Sequence, residues 1–147
     1  MRIKGLIAAT SVAMAAGAAV LVPAGSAAAD DGSATCVSGD VCIYYNSGPA
    51  GAHRGWGGWV NNYGNDGYAG GIAWHYPNNG AGYTQAMKNN AGSAANLDYG
   101  YKAIIWENSF PYGGSPSGRG DVLNPRTTYE KLGLTYNNNA SHTWVKA

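Results

Sequence analysis

The sequence predicts an all-β domain built from two copies of one strand-and-turn unit. Tyr and Trp, which favour strands, are abundant together with Gly and Asn, which favour turns. A strand-like run recurs at an offset of 62 residues, from Cys42 to Ile104, and an Asn-Asn-x-x-Ser stretch recurs at an offset of 48, from Asn89 to Asn137. Since one such unit cannot bury its apolar face alone, we expect two copies packed in a sandwich of about eight strands.

The beginning of the chain is typical of a secretory signal peptide. A basic start precedes an uncharged run over residues 5–29, which Pro23 interrupts and which ends in three alanines. A membrane anchor is the alternative, but the run is rich in Ala and Gly, and no later stretch is apolar enough to span a membrane. We therefore expect residues 1–29 to be removed, and a secreted, extracellular protein with a single domain over residues 30–147.

The charge of the chain argues against a nucleic-acid partner. Nine Lys and Arg stand against eight Asp and Glu in the whole chain, and loss of residues 1–29 removes Arg2 and Lys4, which leaves seven against eight. Binding to a phosphate backbone needs clustered basic residues. We expect a monomer that binds neither nucleic acid nor, after cleavage, a membrane.

The two cysteines, Cys36 and Cys42, are expected to form a disulfide, because an even count in an exported protein favours one. The small ring would contribute about 2 kcal/mol by restricting the unfolded chain. A metal site is the alternative, but His53, His75 and His142 are isolated in the sequence. The bridge would tie the mature N-terminus to the first strand.

The strands of the repeat lie between turn-rich segments. We expect strands over residues 41–45 and 102–107, the second being the copy of the first, and a last strand over residues 141–145. Residues 72–76 form a further candidate strand, and residues 127–132 a short helix or turn. The repeat pairs Cys42, Ile43, Tyr44, Asn46, Ser47 and Gly51 with Ile104, Ile105, Trp106, Asn108, Ser109 and Gly113. Because the two offsets, 62 and 48, differ by 14, the first copy holds 14 extra residues, which we assign to residues 61–82.

The Asn-Asn-x-x-Ser stretches are the first candidate site. Amide and hydroxyl oxygens are hard donors that suit Ca²⁺, and a site would combine both stretches. Without a carboxylate, binding would be weak, with a Kd of roughly 10⁻⁴ to 10⁻³ M. The alternative is that these groups hydrogen-bond the backbone and hold two arches in shape. The candidate ligands are Asn89, Asn90, Ser93, Asn137, Asn138 and Ser141.

Other chemistry has less support. No nucleophile, zinc or phosphate-binding motif occurs. The carboxylates of Glu107, Asp121 and Glu130 could in principle form a glycosidase pair, but Glu107 has a structural explanation beside the second turn, and we expect no catalysis. An aromatic cluster could either stack on cell-wall sugars or form the core of a small sandwich. Its members are Trp56, Trp59, Tyr63, Tyr68 and Trp74.

Residues 44–51 and 106–113 resemble the aromatic-to-glycine hairpins of βγ-crystallin Greek keys. The Asn-Asn-x-x-Ser stretches resemble the calcium motif of that superfamily, which usually ends in a second Ser, where this chain has Ala94 and His142. The resemblance implies a βγ-crystallin-like sandwich of two Greek keys, with one disulfide in this chain.

The opening Cys36-x5-Cys42-Ile43-Tyr44-Tyr45-Asn46, the export signal and the repeat are similar to peptidase inhibitor family I36, the group of Streptomyces metalloproteinase inhibitors. This similarity implies an inhibitor of an extracellular protease, above all a metalloprotease, that inserts a rigid loop into the active-site cleft. The inhibitory loop is not assigned, because the second cysteine pair that braces it in the family is absent; the candidates are residues 112–120, with Arg119, and 61–82. The alternative is a calcium-stabilised or wall-binding module without a protease target.

Overall fold

Two antiparallel sheets form the fold in the computed structural model, which describes residues 34–66 and 70–147. That part of the chain contains no helix, so none there is long and apolar enough to cross a membrane. The all-β class is confirmed, whereas the expected signal peptide and Tyr68 lie outside the described residues. Seven strands are described: β1 Val41–Asn46, β2 Ala50–Trp56, β3 Ser93–Asn96, β4 Tyr101–Trp106, β5 Gly120–Leu123, β6 Thr128–Tyr129 and β7 Ser141–Lys146.

Each half of the chain places one segment in the sheet of the other half. The strand order is β2-β1-β3-β6 in the first sheet and β5-β4-β7 in the second. β6 belongs to the second half but pairs with β3, and Val60 belongs to the first half but bridges His142 of β7. The eighth strand is therefore reduced to the single bridge at Val60. The two Greek keys interlock, because neither sheet is completed by its own half alone.

The second hairpin is longer than the repeat predicts. Cys42 pairs with Gly55 and Ile104 pairs with Val122, so β2 and β5 are related by an offset of 67 while β1 and β4 keep the offset of 62. The second hairpin thus has five additional residues. The expected match of Gly51 with Gly113 is wrong, because Gly118 takes the equivalent place.

Two glycines support that assignment. Gly51 and Gly118 have φ values of 80° and 91°, a conformation that favours glycine. A Cβ at either position would also meet a side-chain amide, that of Asn46 in the first half and that of Asn108 in the second. Glycine is required at both sites because the chain folds back there onto the end of the preceding strand.

The first half carries a long connection after Tyr63. Tyr63 N donates to Ala140 O and Leu132 N donates to Gly92 O, so these two donors are equivalent at an offset of 69. The offset then falls to 48 at the arches, which gives the first half 21 extra residues after Tyr63. The predicted 14 are the net difference, since the second half is seven residues longer before this point.

This long connection contributes to the core without forming a strand. The expected strand over residues 72–76 is wrong: that segment makes only two isolated bridges, Asp66 with Ile72 and His75 with Ala86. Residues 127–132, expected as a helix or turn, contain β6. Trp74, Tyr76 and Met87 of the connection are buried among the core residues, which also include Val41, Ile43, Trp56, Val60, Tyr63, Ala103, Ile105, Leu123 and Leu132.

Candidate functional site

The two Asn-Asn-x-x-Ser stretches lie side by side and hydrogen-bond each other reciprocally. Asn89 N donates to Asn139 O over 2.8 Å, and Asn137 N donates to Ala91 O over 2.9 Å. Asn89 and Asn137 have φ values of 64° and 49°, in the left-handed region that Asn adopts more readily than most residues. The first Asn of each stretch therefore fixes the turn of an arch, and the two arches meet where the halves join.

The serine of each stretch ties its arch to the hairpin of the same half. Ser93 Oγ donates to Asn46 O over 2.6 Å, and Ser141 Oγ donates to Asn108 O over 2.7 Å. Both serines are fully buried. A hydroxyl that donates one bond keeps its lone pairs as acceptors, so each serine serves the fold while its buried oxygen retains acceptor capacity.

The second Asn differs between the copies. Asn90 Nδ2 donates to Ala86 O over 2.9 Å, which leaves its side-chain oxygen as an acceptor, whereas Asn138 is exposed. Within the described residues, no group of three or more His, Cys, Asp or Glu side chains comes together. The oxygen donors around the arches are thus amides, hydroxyls and backbone carbonyls.

Asn139 is the arch residue that sequence reasoning missed. Its Oδ1 accepts from Asn90 N at 3.1 Å and from Ala91 N at 2.9 Å, and its Nδ2 donates to Met87 O at 2.8 Å. These bonds cross from the second arch to the first. The run of three asparagines from Asn137, where the first copy has Ala91, is the signal that distinguishes the two arches.

His142, which stands where the calcium motif usually has Ser, is a core residue. Its Nε2 lies 2.7 Å from Gly58 O and its Nδ1 lies 2.8 Å from the Tyr63 hydroxyl. Since a carbonyl only accepts, Nε2 carries the proton and Nδ1 of the neutral ring accepts from Tyr63. Burial raises the pKa of Tyr63 well above its ordinary value. The departure from the motif is therefore explained by packing, because the ring also contacts Trp56.

Three of the five residues in the aromatic cluster proposed as a sugar platform are core, and Tyr68 lies outside the described residues. Trp56, Tyr63 and Trp74 are buried, and the Trp74 indole donates to the Asp66 carboxylate over 2.9 Å. The three buried rings therefore form no sugar platform over residues 56–76. Trp59 is half-buried and lies outside this group.

The longer loop of the second hairpin, residues 112–118, is mostly exposed and is held at its first end. Asn61 bonds Phe110 twice: Asn61 Nδ2 donates to Phe110 O over 2.9 Å, and Phe110 N donates to Asn61 O over 3.0 Å. A turn follows in which Gly114 N donates to Pro111 O. Tyr112 is 61% exposed at the start of the loop.

The other end of the loop is fixed by Arg119 and Glu107. Arg119 N donates to Glu107 Oε1 over 2.9 Å, and its guanidinium donates to Oε2 over 3.0 Å. The Arg119 side chain remains 69% exposed. Side-chain and backbone hydrogen bonds from Arg119 lower the pKa of Glu107. Arg119, named as a candidate for inhibition, thus contacts its own fold.

The remaining sequence candidates have structural contacts. The Cys36–Cys42 disulfide is confirmed and joins the described N-terminal segment to β1. The Asp121 carboxylate is buried and accepts hydrogen bonds from Gly133 N, Leu134 N, Thr135 N and Thr135 Oγ1. Those bonds secure the connection between β6 and β7.

Solved structures of other proteins share this architecture. The chain is similar to a structure described as "Evolution of the eye lens beta-gamma-crystallin domain fold", with 13% identity, 78% of this chain and 93% of that chain covered, and a TM-score of 0.52. The N-terminal domain of protein S is also similar, with 17% identity, 74% and 97% covered, and a TM-score of 0.44. No protein-family profile and no curated protein matches the chain. The fold is that of the βγ-crystallins.

Proposed function

We propose that this chain is a secreted inhibitor of an extracellular protease, above all a metalloprotease, and that residues 112–118 enter the active-site cleft. One observation carries the proposal: the second hairpin is five residues longer than the first, and the additional residues form an exposed loop anchored at both ends. A protease inhibitor needs such a loop, because a segment that is already ordered loses little entropy on binding.

The two anchors hold the loop in place, as a second disulfide does in peptidase inhibitor family I36. Asn61 holds the loop through two hydrogen bonds to Phe110, and Glu107 holds it through the backbone and guanidinium of Arg119. Between the anchors, Tyr112 offers an exposed aromatic side chain that can serve as a contact to the cleft. The export signal and the Cys36 opening support the same assignment by their resemblance to that family.

The test is inhibition of purified thermolysin-type and subtilisin-type proteases by the secreted chain. We expect inhibition of the thermolysin-type enzyme at micromolar concentration, and loss of inhibition when residues 113–117 are deleted to give the length of the first hairpin. Tyr112→Ala should weaken inhibition about tenfold or more, as hot-spot aromatics do. Tyr99→Ala, at a tyrosine that is 72% exposed elsewhere, is the matched control.

Each outcome of this assay is informative. Absence of inhibition of both proteases at micromolar concentration would sink the proposal. Equal inhibition by the deletion variant and the parent would assign the activity to another surface. Circular dichroism of the deletion variant checks that it folds, which we expect because shortening an exposed loop changes the loop-closure entropy only slightly.

A calcium-stabilised module is the second candidate function. The observation that favours it is the reciprocal bonding of the arches, which sets the two Asn-Asn-x-x-Ser stretches side by side. A cation bound there at ten times its Kd would stabilise the fold by about 1.4 kcal/mol. Calorimetry with and without Ca²⁺ is the test, and an unchanged melting temperature at millimolar Ca²⁺ removes this candidate.

A further inference from the structure

An open cleft of about 350 Å³ lies beside the loop of residues 112–118. Its volume is at the small end of the range of roughly 300–1,000 Å³ for ligand pockets. No residue that lines it carries a charge. Besides two glycines of the loop, the residues that line it are Trp59, Tyr101, Phe110, Pro116, Thr143 and Trp144.

The aromatic rings of the cleft are held in place by the fold. The bridge of Val60 with His142 sets Trp59 beside Thr143 at the edge of the second sheet. The ring of Trp59 contacts those of Phe110 and Tyr112, and its centroid lies 6.1 Å from each of theirs. A ligand therefore meets a wall that is already ordered, which lowers the entropic cost of binding.

Hydrogen bonds fix the second tryptophan and orient the polar group beside it. Trp144 Nε1 donates to Gly58 O over 2.7 Å. Trp106 Nε1 donates to Thr143 Oγ1 over 2.9 Å, which fixes the side chain of Thr143. Tyr101, which also lines the cleft and is 48% exposed, carries a second hydroxyl group. The cleft thus combines apolar ring faces with a few hydroxyl groups.

We infer that this cleft binds a neutral sugar, one or two pyranose rings of a polysaccharide. The C–H face of a pyranose packs on aromatic rings, and its hydroxyls match the hydroxyl groups of the lining residues. A charged ligand would find no opposite charge among the lining residues. A proline-rich peptide, which also binds aromatic grooves, needs an extended groove at about 3.1 Å per residue, and this cleft is short.

The experiment is a titration of the secreted, ¹⁵N-labelled chain with two soluble probes, cellotriose and chitotriose. We expect millimolar sugar to shift the indole N–H signals of Trp59 and Trp144 in NMR spectra. Trp59→Ala and Tyr101→Ala should each weaken binding about threefold to tenfold, in line with single aromatic contacts. Tyr99→Ala, outside the cleft, should bind as the parent does.

The outcomes separate this inference from its rivals and from the inhibitor proposal. The sugar inference would be overturned if neither sugar shifted either indole signal, or if only a polyproline peptide shifted them. It would also be overturned if the sugars shifted only the signals of other residues. Tyr101 is the safer variant because its side chain is half exposed at the start of β4. Tyr101→Ala should leave protease inhibition unchanged, since it lies outside the loop, so either proposal can fail alone.

Discussion

The two halves of this protein share a frame and differ in where each places its extra residues. The first half has 21 additional residues after Tyr63, and they bring Trp74, Tyr76 and Met87 into the core. The second half has seven additional residues before the equivalent point, and five of them lengthen the hairpin loop of residues 112–118, where Tyr112 is 61% exposed. A duplicated fold can therefore lengthen one copy to enlarge the core and the other to expose a surface.

Equivalent positions secure these different connections by different chemistry. Arg54 pairs with Ile43 and Asp121 with Ile105, so both occupy the same place in their hairpins. The guanidinium of Arg54 lies 4.5 Å from the ring centre of Trp74 in the long connection, whereas the Asp121 carboxylate accepts four bonds in the short one. The equivalent position in each hairpin, Arg54 or Asp121, therefore secures the connection that follows that hairpin.

The largest effect should come from truncating the two cores. Trp56 and Leu123 are equivalent and fully buried, and Trp56 contacts the rings of Tyr63, Trp74 and His142. We expect Trp56→Ala to lower the free energy of unfolding by about 4 kcal/mol and Leu123→Ala by about 3 kcal/mol. Urea unfolding measures both, and a larger loss for Leu123→Ala would contradict the view that the first half carries the larger core.

The next largest effect concerns Asn139, whose side-chain hydrogen bonds have no counterpart at Ala91 in the first arch. Asn139→Ala removes the acceptor of Asn90 N and Ala91 N and the donor to Met87 O. Leaving such buried groups unpaired should lower the free energy of unfolding by about 2 kcal/mol or more. The exposed neighbour Asn138, changed to Ala, is the control and should stay within about 0.5 kcal/mol of the parent. Equal losses for the two variants would refute the special role of Asn139.

A smaller and symmetric effect should come from the serines. Ser93→Ala and Ser141→Ala each remove one hydrogen bond to the carbonyl at the end of the hairpin strand. We expect about 1 kcal/mol for each, with the two values equal within about 0.5 kcal/mol because the contacts are equivalent. Thermal unfolding of the two variants measures both losses. Clearly unequal values would show that the two serines stabilise their halves unequally although their hydrogen bonds are equivalent.

The smallest effect should be the pH dependence of the Glu107 contact. Because Arg119 lowers the pKa of Glu107 from 4.5, the pair stabilises the fold above that value and loses its contribution as the pH falls through the lowered pKa. Glu107→Gln should melt slightly below the parent at neutral pH, and the two melting curves should converge in acid. Glu130→Gln, at an exposed carboxylate of the same half, is the comparison; identical behaviour of both variants would rule out a specific contact.

The sequence determined the features that arise from local hydrogen bonds and from the repeat. The left-handed φ of Asn89 and Asn137, the extended character of residues 41–45, 102–107 and 141–145, and the Cys36–Cys42 bridge all depend on residues close in sequence. Their conformations follow from the φ preference of Asn, the alternation of strands and the short disulfide ring. For this reason the fold class could be predicted from two short motifs and their offsets.

Only the tertiary structure decided which groups are buried and which surfaces are formed. Trp56, Trp59 and Trp74 are alike in the sequence, yet two are core and Trp59 borders a cleft, because burial depends on contacts from distant segments. Pairings between distant parts of the chain likewise decide the exchange of Val60 and β6 between the sheets and the bonds of Asn139. They also decide that Gly118, and not Gly113, is the counterpart of Gly51. A repeat fixes which residues are equivalent, but long-range packing fixes what each one contacts.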